Sequence, residues 1–213
     1  MADGIAGLAF LTTSTATSTA VVTWMAIEWL HRGKPTVLGA ASAAVAGLVA
    51  ITPACAFVTP LGSIAVGAGV AALCYTAITF LKPVFGYDDS LDVFGVHGVG
   101  GTWGALATGL FIADFALPEG VTWGTQVFTQ LKSVLFTAAF APIMTIAILL
   151  VLRALFGSLR LSEEAEFDGV DLSEHSETAY TFGAASGTPA SHAEMASGSP
   201  ALAGAVKASR NPA

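Results

Sequence analysis

One histidine in this 213-residue chain stands where a charge is expensive. It is His97, in Asp92-Val93-Phe94-Gly95-Val96-His97-Gly98-Val99-Gly100-Gly101, within a stretch free of formal charge from Val93 to Ala113. An ionisable ring inside a bilayer-length apolar run is a functional-site hypothesis by default. A neutral imidazole supplies one hydrogen-bond donor and one acceptor in a wall that otherwise has neither. That chemistry suits the passage of a small polar solute or a proton, and it points to a membrane pore. The competing reading is a packing histidine hydrogen-bonded to a neighbouring helix. Other reactive combinations are missing from the sequence: no nucleophile beside a base, no phosphate-binding glycine loop in a strand-helix context, and no metal-ligand spacing around Cys55 and Cys74. The expectation is a protein that is not an enzyme and uses no cofactor and no metal.

The elements that must carry His97 follow from composition. Hydrophobic residues make up 54% of the chain and charged ones 11%, with a mean hydropathy of +0.72, against roughly 25% charged in soluble domains. The chain is integral to a membrane, and no nucleic-acid partner is expected. Charge-free stretches run over 4–27, 35–81, 93–113 and 133–152, each matching or exceeding the ~20 residues a span needs. The second is long enough for two spans, with Thr59-Pro60-Leu61-Gly62 as the turn. The apolar runs are continuous and do not alternate with period two, so the spans are helices and not barrel strands.

The fold class is therefore all-α: an integral membrane helical bundle of five transmembrane helices, at about 5–27, 37–57, 62–81, 90–113 and 124–156, in a membrane domain 1–160. Arg32 and Lys34, Lys82, and Arg153 with Arg160 lie in alternate links. They place the N-terminus outside and the C-terminus in the cytoplasm of a multi-pass cell-membrane protein that contacts lipid directly. Met1-Ala2-Asp3 lacks a basic n-region, so no cleaved targeting segment is expected.

Helix geometry puts His97, Gly101, Gly104 and Thr108 near one face, with Val93 a turn earlier, and the small residues let neighbouring backbones approach. Thr52-Pro53 leaves an upstream carbonyl without its amide donor. Asp88, Asp89 and Asp92 suit a helix N-terminus. The hydroxyls at Thr12, Thr13, Ser14 and Thr15 are expected to bond back to their own helix. Trp24, Trp29 and Trp123 read as interfacial anchors, Trp103 as packed between helices, and Pro142 as a bend in the last span. Beyond Arg160 the chain holds 2 basic and 8 acidic residues. Residues 161–180 read as a cytoplasmic C-terminal regulatory motif, and 181–213 as a disordered low-complexity tail.

Four segments together carry a resemblance. They are Glu28-Trp29-Leu30-His31-Arg32-Gly33-Lys34-Pro35-Thr36-Val37-Leu38-Gly39-Ala40, Ala46-Gly47-Leu48-Val49-Ala50-Ile51-Thr52-Pro53-Ala54-Cys55, Asp88-Asp89-Ser90-Leu91-Asp92 with the His97 run, and Glu174-His175-Ser176-Glu177-Thr178-Ala179-Tyr180. From about Ile5 to Tyr180 the chain resembles the second half of an ammonium transporter of the Amt/MEP/Rh superfamily, bacterial Amt branch.

The resemblance implies the last five helices of an eleven-helix fold, a homotrimer with one pore per subunit, and ammonium or ammonia as substrate, extending to methylammonium. It implies that His97 is one of two pore histidines, with Val93 and Thr52 lining the path. The other histidine, the aromatic gate and the outer ammonium site fall in the six helices of the missing N-terminal half. It also implies that residues 161–180 pack beneath the trimer near the face that PII-family regulators approach. Ser176 stands where the family usually has glycine, so a positive φ there would strain the turn. The alternative function is a non-conducting regulatory or assembly fragment of such a trimer.

Overall fold

The computed structural model describes residues 3–177, so residues 178–180 of the motif and the whole of 181–213 lie outside the described part. The chain divides into two compact units, Met1–Leu150 and Val151–Ala213. The first holds α1 (Gly4–Arg32), α2 (Val37–Ile51), α3 (Pro60–Thr76), the short α4 (Lys82–Phe85) and α5 (Val99–Leu110), and most of α6 (Trp123–Phe156). Two π-turn segments interrupt the regular helices: π1 (Ala77–Leu81) joins α3 to α4, and π2 (Phe94–Gly98) leads into α5. Among the described residues there is no named strand, only an isolated antiparallel bridge between Val58 and Ile112.

The bundle is assembled on small residues. On α1, Thr12, Ala16, Ala20, Trp24 and Glu28 are buried, a four-residue spacing that makes one stripe. Gly47 of α2 lies against the Thr17 backbone and Gly67 of α3 against the Ala16 carbonyl, while Gly104 of α5 lies against the backbone of Ala50. Lipid tails are as apolar as leucine, so helices in a membrane associate through close van der Waals packing and hydrogen bonds. Ala43, Ala46, Ala50, Val66, Val70 and Ala71 complete this core.

Helix ends follow caps more than charges. The first span was expected to stop at residue 27, ahead of Glu28, yet α1 continues to Arg32 and closes on Gly33 in the left-handed conformation at φ 79. Glu28 is tolerated inside because it is only 3% exposed and fully engaged: its carboxylate accepts from the Thr36 amide at 2.8 Å and the Thr36 hydroxyl at 3.0 Å. The second span was expected to reach residue 57, but α2 ends at Ile51 and the chain continues in tight turns. Pro53 has no amide hydrogen to extend the ladder. Trp24 is not an interfacial anchor: it is 4% exposed and meets Tyr75 edge-on at 5.4 Å.

Among the described residues, three helical runs are long and apolar enough to cross a membrane: α1, the continuous run Pro60–Phe85, and α6. Both α2, at 15 residues, and the π2–α5 run are shorter. Helix α6 passes through Pro142 and buries none of its residues.

The second unit contains α7 (Glu163–Asp168), capped by the Ser162 hydroxyl, and α8 (Val170–His175). Helix α8 ends on Ser176 at φ 55 and ψ 31, a left-handed position filled by a residue with a side chain. The condition under which serine would strain this turn is met.

Two expectations follow from packing and backbone. Gly67→Val should destabilise the protein by about 1–3 kcal/mol, as overpacking does, in denaturant unfolding in detergent. Gly101→Ala, whose new carbon would meet only Val49 Cγ1 at 4.0 Å, should be near neutral. Ser176→Gly should slow hydrogen exchange over residues 170–177, since left-handed backbone costs an L-residue roughly 1 kcal/mol; faster exchange would show that serine is not strained there.

Candidate functional site

The histidine segment is built from its N-terminal end. Asp89 accepts the Val93 and Phe94 amides on its two carboxylate oxygens, each at 2.9 Å, which satisfies two of the amides a helix start leaves unpaired. The Asp92 carbonyl accepts the Val96 amide at 2.9 Å, and Asp92 itself is left-handed at φ 56. Lys82, at the start of α4, donates to the Asp92 carboxylate at 2.6 Å and to the Asp89 carbonyl. The expected role of Asp89 at a helix N-terminus is thus seen directly, while Asp92 serves instead as an ion-pair partner. The Phe94 and Val93 amides, together with the nearby Lys82 ammonium, hold the Asp89 carboxyl below its ordinary value of 3.8.

From this start the chain makes a π-turn. Gly95 lies so close to π1 that an added carbon would come within 2.5 Å of Ile78 Cγ1. The following helix is fixed at two further places: Gly104 against the Ala50 backbone, and the Trp103 indole donating to the Val66 carbonyl at 2.9 Å.

His97 lies within π2 and is exposed. It lines a cavity of about 1140 Å³ between the 94–106 stretch and α6. Phe94, Thr102 and Trp103 line the same wall, and Ser133, Thr137 and Thr145 line the opposite one. The remaining lining is apolar apart from main chain, with Leu73, Val99, Leu106, Val134 and Ile146 among it. Unlike His31, whose Nδ1 lies 2.7 Å from the Tyr75 hydroxyl, His97 meets no hydrogen-bonding group among the described residues. The reading of His97 as a packing residue tied to a neighbouring helix therefore has no partner to name in this half-bundle.

The other two expected site residues are not brought to this cavity. Val93 is 50% exposed and precedes the π-turn, with its amide held by Asp89. Thr52 is exposed beyond the end of α2, and its hydroxyl returns to the Leu48 carbonyl at 2.7 Å.

Two features escaped sequence reasoning. Lys82 was read only as a loop charge, although it anchors the histidine segment. The hydroxyl stripe Ser133, Thr137 and Thr145 had a legible signal in its spacing of four and eight residues, which places the three on one face of α6. Among the described residues no cluster of His, Cys, Asp or Glu has the arrangement to hold a metal ion.

The cavity exceeds the 300–1,000 Å³ usual for small-molecule sites, and it has few groups that could fix a ligand.

Comparison with known proteins bears on what such a cavity belongs to. The sequence profile of the Ammonium Transporter Family matches residues 1–180. The ammonium transporter of Bacillus subtilis (strain 168) is 45% identical over 84% of this chain and 45% of its own length. That of Aquifex aeolicus (strain VF5) is 49% identical over 84% of this chain and 43% of its own length. Among solved structures, the crystal structure of Saccharomyces cerevisiae Mep2 superimposes with a TM-score of 0.69 at 34% identity, over 76% of this chain and 39% of that one. The chain spans less than half the length of each of these relatives.

The lowered Asp89 value sets a sign for acid behaviour. The stabilisation it lends to the start of π2 is complete above the ordinary carboxylate value and is lost as the pH falls through the lower folded value. Asp89→Ala should therefore reduce stability at neutral pH and make the acid limb of unfolding, followed by circular dichroism, less steep. Superimposable acid limbs for the two proteins would remove Asp89 from the cap.

Proposed function

The chain belongs to the Ammonium Transporter Family, and from that premise we propose that it forms the His97-bearing wall of a pore that passes ammonium nitrogen across the cell membrane. One observation carries the reading: an imidazole without a protein partner among the described residues, exposed on the apolar wall of a large cavity in a charge-free membrane segment. An isolated ammonium ion costs tens of kcal/mol to bring into a low-dielectric interior by Born estimates, whereas neutral ammonia costs far less. Deprotonation at the entrance resolves the difficulty. The uncharged molecule then needs only sparse hydrogen-bonding stations along an apolar path. His97 is such a station, able to accept from ammonia or donate to it according to its tautomer, and able to take up a proton that travels separately.

In this proposal α1, the 37–57 segment, Pro60–Phe85, the 94–110 segment and α6 all cross the bilayer, with the N-terminus outside and the C-terminus in the cytoplasm. Val93 and Thr52 line the path above and below His97 once the pore is complete. The substrates are ammonium or ammonia and, by size and charge, methylammonium. The rest of the pore corresponds to the portion of the relatives that this chain does not span, and the whole assembles as a homotrimer surrounded by lipid. Residues 161–180 face the cytoplasm, where a PII-family regulator would meet them. The strained Ser176 turn makes that contact less favourable than a glycine there would.

A second reading is a non-conducting regulatory or assembly fragment that joins full-length subunits. The two readings separate in one experiment. The chain is produced together with the N-terminal half of a full-length relative in a strain lacking ammonium uptake. Growth on low ammonium is expected, and His97→Leu is expected to abolish it at equal membrane abundance. Equal growth with wild type and His97→Leu would overturn the role of His97. An absence of growth with both, alongside altered uptake when full-length subunits are present, would favour the assembly fragment.

A further inference from the structure

The residue whose placement the proposed function depends on sits in an unusual piece of backbone. A π-turn accommodates one residue more than the α-helix around it. At 3.6 residues per turn, losing that extra residue would swing one flank about 100° relative to the other. His97 lies inside such a turn, so its direction into the cavity depends on the turn being kept. A π-turn persists only where both flanks are fixed, because an α-helix offers the same backbone better hydrogen-bond geometry.

The downstream flank is fixed by packing: Gly104 against Ala50, and the Trp103 indole on the Val66 carbonyl. The upstream flank is packed more lightly: Leu91 and Val93 are exposed, and the Tyr87 ring meets Phe94 edge-on at 5.8 Å. Its other ties are polar, beginning with the Asp89 carboxylate on the Val93 and Phe94 amides. Lys82 Nζ reaches the Asp92 carboxylate at 2.6 Å and also the Asp89 carbonyl. Asp92 is held there in a left-handed conformation at φ 56, which an unconstrained aspartate would tend to leave. Lys82 directly follows π1, and Ile78 of π1 packs onto Gly95 of π2. The ion pair and this contact therefore join the two π-turns at two points.

We propose that the Lys82–Asp92 ion pair is the latch that keeps the π-turn under His97 wound, making Lys82 a positioning residue for the imidazole. Without the latch, the upstream strand of chain is free to rewind into α-helix, Asp92 relaxes to negative φ, and the ring leaves its present direction. Lys82 touches neither the cavity nor any solute; it acts only through the backbone of residues 92–97. The inference rests on the pore reading for its functional meaning. Its test does not, because it reads the position of His97 and not transport.

The experiment uses the full chain in lipid bilayers with ¹⁵N-labelled histidine, the His97 ring signals being assigned by their loss in His97→Gln. Lys82→Met removes the charge, Lys82→Arg retains it, and Asp92→Asn removes the other charge with a residue that tolerates the left-handed conformation. Expected for Lys82→Met and Asp92→Asn are displaced His97 ring resonances and exchange of the 93–98 amides roughly tenfold faster, with α1 amides unchanged. Lys82→Arg should return both readouts toward wild type. Unchanged ring signals and exchange in both charge-removing variants would overturn the proposal. So would exchange accelerated equally across α1 and residues 93–98 in both, since the pair would then support the whole bundle and not the turn.

Discussion

Backbone polar groups that lack a partner in hydrocarbon cost several kcal/mol each, and this chain interrupts its helices repeatedly at membrane depth. The interruptions around Pro53 and after α5 are repaired from within the protein. Where Pro53 ends α2, the Ile51 carbonyl accepts both the Ala54 and Cys55 amides, and the Cys55 carbonyl accepts the Thr12 hydroxyl from α1 at 2.6 Å. Beyond that turn, the Ala113 amide donates to the Phe57 carbonyl, tying the end of α5 to the start of α3. Among the described residues no buried side-chain nitrogen or oxygen is left without a partner. The interruptions persist because three helices packed on alanine and glycine bring donors close enough to serve them.

The same constraint explains how charged residues sit at two chain reversals on one end of the bundle, after α1 and after the Pro60–Phe85 run. Glu28 is buried, but its oxygens are taken by Thr36, whose hydroxyl in turn caps α2 by accepting from Gly39 at 2.9 Å. Lys82 is half-buried and matched by Asp92. Each charge fixes a chain reversal, so removing one partner would leave the other desolvated and the reversal untethered. Rigid reversals leave the first turn of the 94–110 segment free to present one side chain without support of its own. That side chain is His97, which is exposed and meets no hydrogen-bonding partner among the described residues, while its backbone is held on both flanks.

Much of this could be read in the sequence, for identifiable reasons. Span-length apolar runs, the Thr59-Pro60 start of α3 and the capping role of Asp89 all arise from local chemistry, and local chemistry is written in neighbouring residues. Thr15, Thr17 and Thr19 bond back to carbonyls four residues earlier, as isolated helical threonines do. What escaped depends on residues far apart in sequence. Nothing near Glu28 announces that Thr36 will neutralise the cost of burying it. Nothing near Trp24 announces Tyr75. The π-turn at Phe94–Gly98 reflects no propensity of Phe-Gly-Val-His-Gly; it comes from Ile78 against Gly95 and Lys82 against Asp92, contacts between residues 10 to 17 positions apart.

The bundle also shows which of its faces are finished. Helices α1, α2 and α3 meet through buried alanine, valine and glycine, and their contacts are closed by hydrogen bonds at both ends. The wall bearing His97 and the hydroxyl-bearing face of α6 are different: Leu135, Phe136, Phe140 and Ile143 are exposed along a helix that buries no residue. A helix that faced only lipid would have no use for Ser133, Thr137 and Thr145 at helical spacing, because a hydroxyl gains nothing from acyl chains beyond its own i−4 carbonyl. A helix packed in a finished core would bury its large side chains. Helix α6 does neither. Its polar stripe lines the same cavity as His97, the one ionisable side chain in that lining, so the hydroxyls and the imidazole share one otherwise apolar space.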